Sequence, residues 1–81
     1  MALTRQAANI VSKAHIGDLT IPANRNRSYF AIIVGATAGS LYLGGGDGEI
    51  PLATTTHYEP RVCPTGEIRV VNTGVYTIVM G

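Results

Sequence analysis

The chain has 81 residues and a mass of 8.5 kDa, which is room for one domain with a small core. One cysteine excludes an internal disulfide, and with only two histidines beside it a structural zinc site is disfavoured. Charged residues are 14% of the chain and the formal net charge is +1, which argues against nucleic-acid binding and leaves much uncharged surface. A small domain without a disulfide or a structural metal usually needs a partner subunit, so we expect this protein to associate with one.

Residues 1–17 are predicted to form an N-terminal arm that is separate from a β domain over residues 18–81. The segment has a weak helical stripe of small and aliphatic residues, at Leu3, Ala7, Ile10, Val11 and Ala14. A stripe this weakly hydrophobic would make a marginal helix, so an extended arm and a short helix both remain open. In either form we expect the arm to pack on a neighbour.

From residue 18 onward the sequence has the composition of short β-strands. Valine, isoleucine and threonine supply 24 of the 81 residues, and ten glycines and four prolines interrupt them at short intervals. We predict strands at 19–21, 28–34, 40–43, 49–53, 67–71 and 75–80, with an irregular extended stretch over 54–60. Six to seven short strands at this spacing predict an all-β fold, a small antiparallel sandwich or barrel.

The strand over residues 28–34 is the clearest in the chain. Phe30, Ile32 and Val34 alternate with Tyr29, Ala31 and Ile33, so both faces are apolar and the strand is predicted to be covered on both sides. Together with Ile68 and Val70, the first three should form the core. Pro51 predicts an edge strand, and 72–74 predicts a hairpin turn.

No segment carries a convincing catalytic or cofactor motif. The glycine-rich run 44–48 lacks the Lys-Ser/Thr and the helix of a phosphate loop, so it is interpreted as a turn. His57 and Glu59 match half of a zinc-deaminase signature without its cysteine pair. Cys63 has no residue that would activate it as a nucleophile and is expected to be a buried or half-buried small side chain. We therefore predict no enzyme activity, cofactor, metal or small-molecule substrate.

Contacts with partners are predicted at seven positions. Four lie in the arm, two in the basic cluster and one beside His57: Leu3, Arg5, Ile10, Val11, Arg25, Arg27 and Tyr58. One arginine of the cluster is expected to pair with a carboxylate across a strand or subunit contact. The longest apolar run, 30–34, is far too short to span a membrane, so no membrane partner is expected.

The order of turns and strands over about residues 19–79 resembles small β-sandwich or β-barrel structural proteins of tailed bacteriophage virions. The phrase Ile-Pro-Ala-Asn-Arg-Asn-Arg at 21–27 precedes the apolar strand, Leu-Tyr-Leu-Gly follows at 41–44, and Gly-Glu-Ile-Arg-Val at 66–70 leads to the closing Asn-Thr-Gly-Val-Tyr-Thr-Ile at 72–78. The resemblance is one of turns and strands and includes no catalytic motif.

This resemblance implies a head-decoration, or cement, protein. Such a protein would be made in the cytoplasm of a bacterial host and would bind the outer surface of the major capsid protein shell, often as a trimer on local three-fold axes. It would stabilise the shell against internal pressure. Two alternatives from other classes remain: a head-completion, tail or fibre-base component, and a carbohydrate- or host-binding module that uses Tyr42, Tyr58 and Tyr76 as stacking platforms.

Overall fold

The computed structural model describes residues 10–81, which form eight β-strands and no helix. The strands are β1 (Val11–Ile16), β2 (Leu19–Ile21), β3 (Phe30–Val34), β4 (Gly39–Leu43), β5 (Ile50–Leu52), β6 (His57–Tyr58), β7 (Ile68–Val71) and β8 (Val75–Met80). They make two antiparallel four-stranded sheets, sheet A in the order β1-β8-β3-β6 and sheet B in the order β2-β7-β4-β5. The all-β, sandwich-like prediction is confirmed, but residues 10–81 form eight strands and not six or seven.

Two strands are additional to the six predicted ranges. One is β6, within the extended stretch over 54–60, and the other is β1, which comes from the segment that the sequence assigned to an arm. Val11 pairs with Met80 and Ile16 pairs with Val75, so β1 is bonded to β8 along its whole length. These residues are extended and not helical, and they form one edge of sheet A. Their weak hydrophobicity is consistent with an edge position, where one side of the strand remains open. Residues 1–9 of the predicted arm lie outside the described part of the chain.

Most connections pass from one sheet to the other. Only the β4–β5 connection stays within a sheet, and its turn contains Gly44 and Gly45 at positive φ, as the glycine run predicted. The prediction of a hairpin at 72–74 is wrong, because β7 belongs to sheet B and β8 to sheet A. A three-residue turn connects two strands of different sheets as readily as it connects the two strands of a hairpin. The sequence does not distinguish these two cases.

The core lies between the two sheets and contains the residues expected from strand alternation. Phe30, Ile32 and Val34 face inward from β3, and Ile68 and Val70 face inward from β7; all five are buried, which confirms the prediction. Other buried residues complete the layer, namely Ile21, Leu41, Leu52, Tyr76 and Ile78. Pro51 lies on the edge strand β5, as predicted, and Cys63 packs half-buried against the core.

One end of the sandwich is held together by the buried Asn72. Its side-chain amide donates to Thr37 O at 3.0 Å and its side-chain oxygen accepts from Gly74 N at 2.7 Å. The Asn72 backbone N–H donates to the Asp18 carboxylate at 3.1 Å. A Cβ on Gly74 would lie 2.5 Å from Thr37 Oγ1, so only glycine fits where these two crossings meet. Three connections between the sheets are thereby joined at this end.

Tyr76 lies at the same end and makes the stability of the fold sensitive to alkaline pH. Its buried hydroxyl donates to Gly17 O at 2.5 Å. Burial first, and the charge of Asp18 second, raise the pKa of this hydroxyl above its ordinary value of 10.0.

We predict that the free energy of unfolding falls as the pH rises above about 10. The folded state disfavours the phenolate, so stability is full below the pKa of the unfolded chain and is lost as the pH passes the higher folded pKa. Tyr76→Phe should flatten this fall, although losing the hydrogen bond costs about 1 kcal/mol at neutral pH. Urea titrations from pH 8 to 11 measure both effects.

Tyr29→Phe is the comparison variant for this series. Glu59 raises the pKa of the Tyr29 hydroxyl, first through a side-chain hydrogen bond, with burial and the Glu59 charge adding to it. That variant reports the share of the alkaline loss that Tyr29 contributes. If the Tyr76→Phe profile runs parallel to that of the parent above pH 10, Tyr76 does not set the alkaline limit.

Candidate interaction surface

The residues of β1, β8 and β3 on the outer face of sheet A are uncharged. Residues directly opposite each other in an antiparallel pair share a face, so the register assigns its members. They are small, hydroxyl-bearing or aliphatic: Ser12, Ala14 and Ile16 on β1, Val75, Thr77 and Val79 on β8, and Ala31 and Ile33 on β3. None of these is lysine, arginine, aspartate or glutamate; His57 borders the face on β6, opposite Ile33. We call these eight residues the sheet A face.

Three aliphatic side chains of the sheet A face are open to solvent. Ile16 is 73% exposed, Val75 is 53% exposed and Ile33 is 48% exposed. For the single chain, the prediction that β3 is covered on both sides holds at Ala31, which is buried, and is wrong at Ile33, which is half exposed. An exposed patch of aliphatic side chains without charges is typical of the central part of a protein–protein interface.

The outer face of sheet B is different in character. It carries Thr20 on β2, Arg69 on β7 and Tyr42 on β4, with the Arg69 guanidinium 4.1 Å above the Tyr42 ring centroid. Ser40 donates a hydrogen bond to the carboxylate of Glu49 beside this face. Arg69 and Tyr42 contact each other within the chain, as do Ser40 and Glu49. The two outer faces are therefore chemically distinct, and the sheet A face is the stronger candidate for a partner.

A groove opens between the edges of the two sheets, beneath β1. Val11, Lys13 and His15 line it from β1, and Leu19 and Ile21 line it from β2, around a volume of about 330 Å³. The His15 ring stacks on Tyr76 with their centroids 6.0 Å apart. β2 has only three residues, so it does not cover the inner side of the longer β1.

The structure separates the predicted contact residues into different environments. Ile10 and Val11 are exposed, at the start of β1, and Arg25 is exposed in the β2–β3 connection. Tyr58 is half-buried and packs against the core, because it faces inward opposite Ile32. Leu3 and Arg5 lie outside the described residues. Sequence reasoning did not assign Ile16, Ile33 and Val75 to a contact surface, although their places in the alternation of β1, β3 and β8 would have indicated an outward direction.

Arg27 is a structural residue and not an exposed contact. Only 5% of it is exposed. Its Nη1 donates to Pro64 O at 2.6 Å and to Gly66 O at 3.2 Å, and its Nη2 donates to Pro22 O at 2.7 Å. It thus joins the β2–β3 and β6–β7 connections at the end of the sandwich opposite Asn72. The expected carboxylate partner is replaced by main-chain carbonyls.

The aromatic and metal-ligand positions offer no organised site in the described part of the chain. Tyr76 is buried and Tyr42 lies under Arg69, so neither is open as a stacking platform. Within residues 10–81 no three His, Cys, Asp or Glu side chains come together as a metal site. The same residues include no helix that is long and apolar enough to cross a membrane.

No family model matches the chain, and no match is found among curated proteins or among solved structures.

Proposed function

We propose that this protein is a virion structural protein that decorates the capsid of a tailed bacteriophage. It binds the outer surface of the major capsid protein shell and stabilises the shell against internal pressure. The observation that carries the proposal is the sheet A face, whose eight residues include no charged side chain. The protein acts by adding contacts and performs no chemistry.

The charge distribution supports contact with a protein shell in preference to nucleic acid. Nucleic-acid binding requires a concentration of positive charge, and the formal net charge of this chain is +1. Exposed aliphatic side chains stabilise a protein interface by about 25 cal/mol for each Å² that they bury. The proposed partner surface is thus an uncharged, aliphatic area of the major capsid protein.

Several copies of the protein are proposed to act together. A homo-oligomer, with a trimer as the form that the family resemblance implies, would present several sheet A faces to the shell at once. Weak contacts in one oligomer raise the overall affinity because each contact increases the effective concentration of the next. Ile10, Val11 and Arg25 are exposed and remain proposed contributors to partner contacts.

The test is binding of purified protein to capsids assembled without it. Ile33→Lys places a charge on the sheet A face, where an interface would leave it buried and unpaired. We predict that this variant binds at least about tenfold more weakly, measured by co-sedimentation with the particles. Thr20→Lys is the matched control, because Thr20 is exposed on the outer face of sheet B and should tolerate the same charge.

Two results would contradict the proposal. Equal binding by Ile33→Lys and the parent, with both folded by circular dichroism, would exclude the sheet A face as the contact surface. A protein present in a few copies at one vertex, and not over the whole shell, would be a head-completion or tail component. Densitometry of purified particles measures the copy number.

A further inference from the structure

The four edges of the two sheets are not equally protected. In sheet B, β5 contains Pro51, and β2 is three residues long and runs into Pro22. In sheet A, β6 has two residues and is followed closely by Pro60. Short strands and prolines are the usual means of preventing an edge from pairing with another chain.

β1 is the exception among these edges. It has six residues and no proline, and its only neighbour in sheet A among residues 10–81 is β8. Its far side therefore presents a row of backbone N–H and C=O groups that no described strand satisfies. Such an edge favours the addition of another strand.

We propose that β1 pairs with β1 of a second copy of this chain, antiparallel, about a two-fold axis at Ala14. This inference rests on the edge and does not depend on the proposed function. Opposite residues of an antiparallel pair share a face of the sheet. A two-fold axis normal to the sheet must therefore pass at a residue, which then lies opposite the same residue of the other copy. With the axis at Ala14, Ser12 lies opposite Ile16 of the other copy and Lys13 lies opposite His15.

Lys13, the one lysine of β1, selects this register. An axis at Lys13 would place two ammonium groups directly opposite each other, which destabilises a strand pair. An axis at Ala14 moves each lysine opposite a histidine and places two small side chains at the centre. Among the registers that keep the two lysines from lying opposite each other, an axis at Ala14 therefore gives the longest overlap of the two β1 strands.

A second copy suits this edge better than an unrelated strand. Pairing makes the two sheets A one continuous sheet and joins the two sheet A faces into a single uncharged surface. The dimer is also closed, because both β1 edges are used and the edges that remain outside are the short or proline-containing ones. On an icosahedral shell, neighbouring three-fold axes are related by two-fold axes, so the contact is compatible with a trimer formed through other surfaces.

The experiment exchanges charge at the axis. Ala14 is exposed, so Ala14→Lys and Ala14→Glu should fold normally, but each places two like charges opposite each other in the dimer. We expect each variant alone to weaken self-association by about twofold to fivefold at low salt, measured by sedimentation velocity. Mixing the two variants places opposite charges across the axis and should restore association at least to the level of the parent.

Ile33→Lys is the matched control for Ala14→Lys, because its charge lies on the sheet A face and not at the β1 edge. It adds the same charge two strands away from the edge and should leave this self-association unchanged. Failure of capsid binding by Ile33→Lys therefore reports on the proposed function, whereas failure of the mixing experiment reports on β1 pairing alone.

Three outcomes would overturn the inference. The parent could show no self-association at the highest concentration reached. It could associate with no response to the Ala14 variants or to their mixture. Finally, the β1 amides that point away from β8 could be protected from hydrogen exchange in a monomer, or only when capsid protein is added, which would assign the edge to another segment or another chain.

Discussion

Replacing Arg27 with alanine is expected to lower the free energy of unfolding by about 3–5 kcal/mol. The guanidinium is buried and donates to the carbonyls of Pro22, Pro64 and Gly66, which belong to two separate connections. Its removal leaves three partly buried carbonyl acceptors without their donor and weakens the link between the two connections. A domain of this size has a total stability of about 5–15 kcal/mol. The variant should therefore be largely unfolded at temperatures near the melting temperature of the parent protein. Urea titration followed by circular dichroism measures the loss.

Arg25→Ala is the control for this substitution. Arg25 is two residues away in the same connection and is exposed, so its loss should change stability by no more than about 0.5 kcal/mol. Arg27→Lys should restore little, because one ammonium group does not reproduce a planar fork that bonds carbonyls on two sides. Equal stability of the Arg27→Ala and Arg25→Ala proteins would show that the carbonyl contacts are not what joins the two connections.

Truncation of the β3 core is the second change with a large expected effect. Phe30 and Ile32 are buried on the inner side of β3, between the two sheets. We predict that Phe30→Ala costs about 3–5 kcal/mol and that Ile32→Ala costs about 2–5 kcal/mol, because the rigid sheets cannot close over the space. Thermal melts of both variants should show a large drop or no cooperative transition.

Ile33→Ala tests whether this effect depends on the direction of the side chain. Ile33 is adjacent to Ile32 in sequence but lies on the sheet A face, half exposed. The free energy of unfolding should change by less than about 1 kcal/mol for this variant. A melting temperature that falls as far as that of Ile32→Ala would mean that the assignment of the two faces is wrong.

Strand alternation made the core predictable from sequence. The inward direction of Phe30, Ile32 and Val34 follows from the period of two residues, and the same rule assigned Ile68 and Val70. Pro51 and the glycine run 44–48 also predicted local structure correctly, because proline cannot donate to a ladder and glycine accepts positive φ. These features depend on residues close together in the chain.

The features that sequence reasoning missed depend on distant residues. β1 is weakly hydrophobic and becomes a strand because it pairs with β8, more than fifty residues later. Arg27 has main-chain carbonyls as partners, and these leave no trace in the sequence. The exposed sheet A face was missed for a related reason: an apolar outward face looks the same in sequence whether a second layer covers it or not.

The position of β8 determines when the protein is able to fold. β8 lies between β1 and β3 in sheet A, so neither of those strands has its main pairing partner until residues 75–80 are available. During synthesis, β1 leaves the ribosome before β2 to β7 and remains without its partner, with its aliphatic residues exposed, until β8 follows. Folding is then dominated by contacts between distant segments, which makes it slow and leaves the nascent chain open to aggregation. A chaperone that binds aliphatic extended segments would have its longest opportunity at residues 11–16.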